Sequence, residues 1–325
     1  MKSKAIWWFV IAGAMAVAMA PALRAGTLGT QVIGLFPKDV GEFAYADMKA
    51  AQQHKWFPQL QQQILPARFR QFETFLKSAG IDMNSQVDDL AFAALPANDK
   101  HPEEVLGVAE GEFQPDTTEA YLKKLKLPTR KSHGYTLYAF GSGDSPYDIF
   151  FFFLDSNTAV FGQGDAIDKM ISVRTNGDPS LLANDTIYPL ISQVNGQGSI
   201  WAVLDQHYTK LGLQQLLPEV ASAQQSSPLF EKVHAMIISV DASSEIQTQF
   251  EAVCATPDDA NNLAALLQAG ILYRRYQASQ SNPDLANMLD QAQVTPRGDR
   301  LDLNFRLTED QMVKLIEQRT FAVSM

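Results

Sequence analysis

Five histidines, His54, His101, His133, His207 and His234, are the first side chains to weigh for chemistry, and they stand far apart. No His-Glu-x-x-His run and no cysteine partner accompanies them, so the spacing that holds zinc is missing and no metal site is expected. The nearest thing to an acid-base group is Asp205, His207 and Tyr208. A carboxylate holding an imidazole that faces a cleft would make a hydrolase centred on Asp205 and His207. Against that reading, Asp47 recurs at the matching place of an internal repeat with no histidine after it, and an Asp just before a helix caps it. The cap is the preferred reading.

Three carboxylate pairs, Asp88-Asp89, Glu103-Glu104 and Asp258-Asp259, invite a glycosidase reading. Neighbours on a strand point to opposite faces, so such pairs do not face one another across a substrate, and helix starts and turns are expected to account for all three. Asp82, Asn84, Gln86 and Asp88 alternate like a calcium loop but lack its sixth-position glycine and distal glutamate. Gly141-Ser142-Gly143-Asp144-Ser145 has the spacing of neither a nucleophile elbow nor a phosphate loop and reads as a surface turn. No cofactor is implied.

Two features remain. Ile149 to Leu154 is an unbroken apolar run with four phenylalanines. A strand buried between two layers explains it; the functional alternative is an apolar cavity lined by the Phe150 and Phe152 face. The second is a basic cluster, Lys123, Lys124, Lys126, Arg130 and Lys131, in an acidic chain. Cations at a helix C-terminus complement its dipole; the alternative is docking of an anionic lipid head group or polysaccharide.

The elements that must position these residues come in two sets. Phe43-Ala44-Tyr45-Ala46-Asp47 returns as Trp201-Ala202-Val203-Leu204-Asp205, Leu90-Ala91-Phe92 as Met236-Ile237-Ile238, and Pro115-Asp116 as Pro257-Asp258. After each first strand come a helical segment, a hairpin, a helix opened by proline, a second hairpin and a closing helix. Capping is expected from Asp47, Asp205, Thr256 and Asp165, with capping boxes at Asp116/Glu119 and Thr308/Gln311. The reading is an α+β fold of two tandem units, each βαββα plus hairpin and helix, with antiparallel sheets covered by helices and a ferredoxin-like strand order within reach. Unit one spans 26–176, a connecting segment 177–198, and unit two 199–325.

Lys2 and Lys4 precede an apolar run from Ala5 to Ala20, with small residues at Ala22 and Ala25, so 1–25 reads as a secretion signal. Export to the periplasm or beyond is expected, with no stable span left after cleavage. The formal charge is −10, and losing the leader's three basic residues makes it more negative still. Nucleic acid is therefore not expected as a partner. The lone Cys254 lies on the apolar face of an alternating strand and reads as a core thiol.

Gly80-Ile81-Asp82, Gln86-Val87-Asp88-Asp89-Leu90 and the strand-turn-strand from Leu154 to Gly162 together resemble secreted bacterial proteins grouped as families of unknown function. The resemblance implies export and a duplicated α+β plan, and carries no site residues. Taken together, the expectation is an exported, non-catalytic binding or interaction protein with an unidentified protein or envelope ligand as partner. A carrier or sensor of apolar or lipid molecules is the alternative, and the hydrolase stands third.

Overall fold

The computed structural model describes residues 26–54, 56–64, 67–97, 102–216, 227–241 and 245–318. The expected leader at 1–25 and His101 lie outside the described residues.

The chain is α+β. Its strands are β1 (Glu42–Asp47), β2 (Val87–Leu95), β3 (Glu104–Gly111), β4 (Thr129–Ser132), β5 (Tyr135–Phe140), β6 (Ile149–Phe153), β7 (Thr158–Gln163), β8 (Ile200–Asp205), β9 (Val233–Asp241), β10 (Ile246–Cys254), β11 (Gln293–Arg297) and β12 (Arg300–Leu307). Its helices are α1 (Thr30–Ile33), α2 (Met48–Ala51), α3 (Phe57–Ile64), α4 (Ala67–Ser78), α5 (Met83–Gln86), α6 (Pro115–Leu125), α7 (Ala166–Asn176), α8 (Ile187–Val194), α9 (Gln206–Leu216), α10 (Ser227–Phe230), α11 (Pro257–Ser281), α12 (Pro283–Asp290) and α13 (Glu309–Glu317).

Among the described residues, the twelve strands join one antiparallel sheet in the order β11-β12-β10-β9-β8-β1-β2-β3-β7-β6-β5-β4. Outward from the central β1–β8 pair, both halves run in the same way: first strand, second, third, then a hairpin entered from its later strand. The first half adds β5 and β4 at its edge. At the centre Ala44 pairs with Ala202, its equivalent in the five-residue repeat, flanked by Phe43 with Val203 and Tyr45 with Trp201. A ferredoxin-like order would put β3 between β1 and β2, and that order is not adopted. β2 instead returns antiparallel beside β1, since the intervening α2–α5 stay on one face and no crossover is needed.

Each face of the sheet carries its own apolar layer. On one face Leu90, Val105, Phe151, Leu204, Met236 and Phe250 pack under helices drawn from both halves, including α3, α4, α9, α11 and α13. On the other, Phe43, Leu106, Phe150, Trp201 and Val203 pack under α1, α7 and α8. The expected connecting segment 177–198 is thus not a bare linker, because α8 buries Ile187, Leu190, Ile191 and Val194 in this layer. Cys254 sits in the first layer, and burial pushes its thiol up to about 11.

Local capping follows the residue types with two exceptions. Asp47 accepts from Ala50 N, Thr256 from Asp259 N, and Thr308 and Gln311 close a capping box. α6 instead begins after Gln114 with no side-chain cap, so Asp116 and Glu119 form no box; Glu119 accepts from Tyr138 Oη at 3.0 Å. Asp165 makes no capping bond on α7.

Candidate functional site

Small side chains on the central strands leave space beneath α3 and α4. Ala44, Ala46, Ala109, Ala159 and Ala202 form the floor, and Phe69, Phe72 and Leu76 of α4 with Phe57 of α3 form the roof. The volume between them is about 140 Å³. Helical spacing puts Phe69, Phe72 and Leu76 on one side of α4. Phe72 meets Phe151 edge-on at 5.5 Å and Phe161 at 6.0 Å, so the roof rests on an aromatic wall rather than on the alanine floor. Floor residues come from both halves, since Ile200 and Ala202 of β8 lie beside Ala44 of β1. The roof helices are tied down where they meet: Arg68 at the start of α4 reaches Asp148 at 2.9 Å and Phe140 O at 3.2 Å. Gln63 of α3 donates to Ile316 O of α13 at 2.6 Å, and His54 lies 3.2 Å from Glu309 at the start of the same helix.

The Phe150–Phe153 run is buried on both sides, with alternate rings in different layers. Phe150 and Phe152, the alternative cavity face, lie in the opposite layer and are 4 % and 2 % exposed, as the buried-strand reading expects. Phe151 and Phe153 are the rings that line the cavity. Because all four positions carry the same apolar ring, alternation alone does not reveal which face adjoins a void.

Asp205, His207 and Tyr208 do not assemble a hydrolytic centre. Asp205 Oδ1 accepts from Tyr208 N at 2.9 Å, which commits this carboxylate to capping α9. His207 is exposed, its ring set edge-on to Tyr208 with centroids 5.2 Å apart. Tyr208 is fully buried, and burial with the nearby Glu103, Glu42 and Asp205 pushes its hydroxyl far above the usual range. Glu42, the first residue of β1, escaped sequence reasoning. It is 3 % exposed, its Oε2 has no hydrogen-bond partner, and burial, reinforced by Glu103 and Asp205, holds its carboxyl well above the carboxylate range. An acidic residue opening an apolar strand was the available signal.

Asp88-Asp89 lies within β2, and of Glu103-Glu104 the second residue opens β3, so neither pair is a helix start. Asp89 of β2 accepts from the Tyr45 hydroxyl. Glu104 of β3 is buried and accepts from Asp165 N at 2.8 Å, while Asp258-Asp259 opens α11 as expected.

The basic cluster is divided between elements. Lys123 pairs with Glu119 at 3.4 Å, and Lys124 and Lys126 are exposed at the end of α6, where Lys126 takes a left-handed conformation at φ 54°. Arg130 on β4 pairs with Asp168 at 2.5 Å, donates to Gly164 O at 3.1 Å and lies 4.5 Å over the Phe150 ring. Lys131 bonds Thr136 Oγ1 at 2.5 Å. Among the described residues, no group of three His, Cys, Asp or Glu side chains stands ready to hold a metal ion, and no helix is long and apolar enough to cross a membrane.

No protein-family model and no curated protein matches the chain. Among solved structures, it is similar to crystal form I of TP0453, with a TM-score of 0.50 and 13% identity over 93% of this chain and 100% of that one. Crystal form IV of TP0453 gives a TM-score of 0.47 at 12% identity over 87% of this chain and 95% of that one. The likeness is one of fold.

Proposed function

We propose that this chain is an exported, non-catalytic binding protein whose ligand is apolar, or has an apolar end, and is held beneath α3 and α4. One observation carries the reading: a cavity of about 140 Å³ walled almost wholly by alanine, phenylalanine and aliphatic side chains. Protein interiors are otherwise packed to crystal density. A dry apolar void of about 150 Å³ is large enough to take a benzene molecule. The cavity forfeits packing energy unless something fills it.

This reading favours the carrier among the expected functions over a partner surface at the joint, since the β1–β8 seam is covered on both faces. The test is titration of the purified mature protein with benzene, followed by calorimetry and thermal unfolding. Saturable binding with a rise in unfolding temperature is the expected result. No binding and no shift at millimolar benzene would remove the proposal. Export is tested separately, by fractionating cells that carry the full chain or one lacking 1–25; loss of envelope location on deletion is expected.

A further inference from the structure

Tyr45 and Trp201 border the cavity, but their side chains belong to the opposite layer. That leaves Gln61 of α3 and Glu73 of α4 as the polar side chains of its own layer. These two meet at one end of the roof, where Gln61 Nε2 donates to Glu73 Oε1 at 3.3 Å. The bond is long for N–H···O, whose usual length is about 2.9–3.0 Å. Glu73 also walls a polar groove on the outer side of α4, with Arg70, Thr74, Lys77 and Asp82. One carboxyl therefore stands at the boundary between the apolar space and the surface.

We propose that Gln61 and Glu73 form the head-group site of the cavity, and that it takes a small neutral amphiphile ending in a hydroxyl. This deepens the apolar-ligand reading and rests on it. The apolar body lies over the alanine floor, beside the Phe72–Phe151 contact, while the hydroxyl bridges the loose Gln61–Glu73 contact. A hydroxyl both donates and accepts, so it can take the Gln61 N–H and give its own proton to the Glu73 oxygen. Charged heads fit less well. Either charge would meet its like as well as its opposite, since Glu73 and Asp82 stand beside Arg70 and Lys77. The groove's charges are also engaged among themselves, with Lys77 3.3 Å from Asp82 and Arg70 donating to Gln62 O at 3.0 Å. Burial, with Asp82 nearby, raises the Glu73 carboxyl, while Gln61 and Lys77 oppose that shift.

The experiment is calorimetric titration of the mature protein with 1-hexanol, hexanoate, hexylamine and benzene, repeated on Glu73→Leu, Glu73→Gln and Gln61→Met. Hexanol should bind at least tenfold more tightly than hexanoate or hexylamine. Glu73→Leu and Gln61→Met should each weaken hexanol about tenfold, well beyond any change in benzene affinity, and Glu73→Gln should retain hexanol. Benzene binding of wild-type strength shows that a variant is folded with its cavity intact. Should hexanoate or hexylamine bind best, or Glu73→Leu leave hexanol unchanged while benzene still binds, the head-group site is wrong and the apolar cavity stands. Failure of both benzene and hexanol to bind overturns the cavity reading and this inference together.

Discussion

Filling the cavity from its floor tests the central reasoning most directly. Ala109 on β3 is 5 % exposed and forms part of the cavity wall. Unfilled space costs about 24 cal/mol per Å³, so a void of about 140 Å³ represents about 3.4 kcal/mol of unrealised packing. Ala109→Leu brings three carbons into that space and, by filling roughly half of it, returns about 1.5 kcal/mol. Local crowding opposes this. Gly107, two residues earlier on the same face, already lies against the Phe161 ring, where an added Cβ would come within 2.2 Å of ring carbon. Allowing about 0.5 kcal/mol for such strain leaves a net gain of about 1 kcal/mol, or roughly 1.5–2 °C in unfolding temperature for a chain of this length. The same leucine takes the ligand's place, so benzene affinity should fall at least tenfold. Differential scanning calorimetry and benzene titration read the two effects on one preparation. A folded Ala109→Leu protein that binds benzene like the wild type, or one destabilised by more than about 2 kcal/mol, would refute the argument that usable space lies above β3.

Further expectations concern groups away from the cavity. Glu42→Gln should leave the protein as stable or more so, with an advantage that grows as pH rises. The raised carboxyl keeps its proton in the fold while the unfolded chain loses it first, so wild-type stability drains away upward from the ordinary carboxylate range; urea unfolding from pH 5 to 8 measures it. His54 behaves oppositely: burial lowers its pKa against the pull of Glu309, so the unfolded chain takes up the proton first as pH falls below 6.5. Stability should decline with acidification through that range, and His54→Gln should flatten the decline in unfolding measured between pH 7 and 5. Tyr45→Phe removes the hydroxyl that donates to Asp89 and should cost about 1.5–3 kcal/mol in urea unfolding. Asp205→Ala should cost about 1 kcal/mol through the lost α9 cap, with Asp47→Ala costing a similar amount for α2.

Much of the fold was legible because each element carries its own local chemistry. Alternation in Ile246–Cys254, the proline at the start of α11 and the Thr308/Gln311 box are decided within a few residues. Strand order was not, since the β1–β8 pair that fuses the halves into one sheet depends on which edges meet, and both strands are apolar on each face. The cavity was half legible. The Phe150–Phe153 run announced burial on two sides, yet the void arises from the height at which Phe72 rests on Phe151, a distance no spacing encodes. Gln61 and Glu73 were missed for a related reason, being ordinary residues of an amphipathic segment until two helices set them at one opening. Asp205 was read through its repeat partner Asp47, and that comparison identified the cap.

The pairing of Ala44 with Ala202 has a consequence for how the two halves depend on each other. A strand that pairs antiparallel around its own equivalent is self-complementary, so the edge each half offers is the edge each half needs. Cut within 177–198, either half would keep an open first strand whose natural complement is another copy of itself. Covalent continuity here performs what symmetry performs in a homodimer. It also releases the copies from having to stay alike, and one of them carries β4 and β5 while the other spends its length on α11.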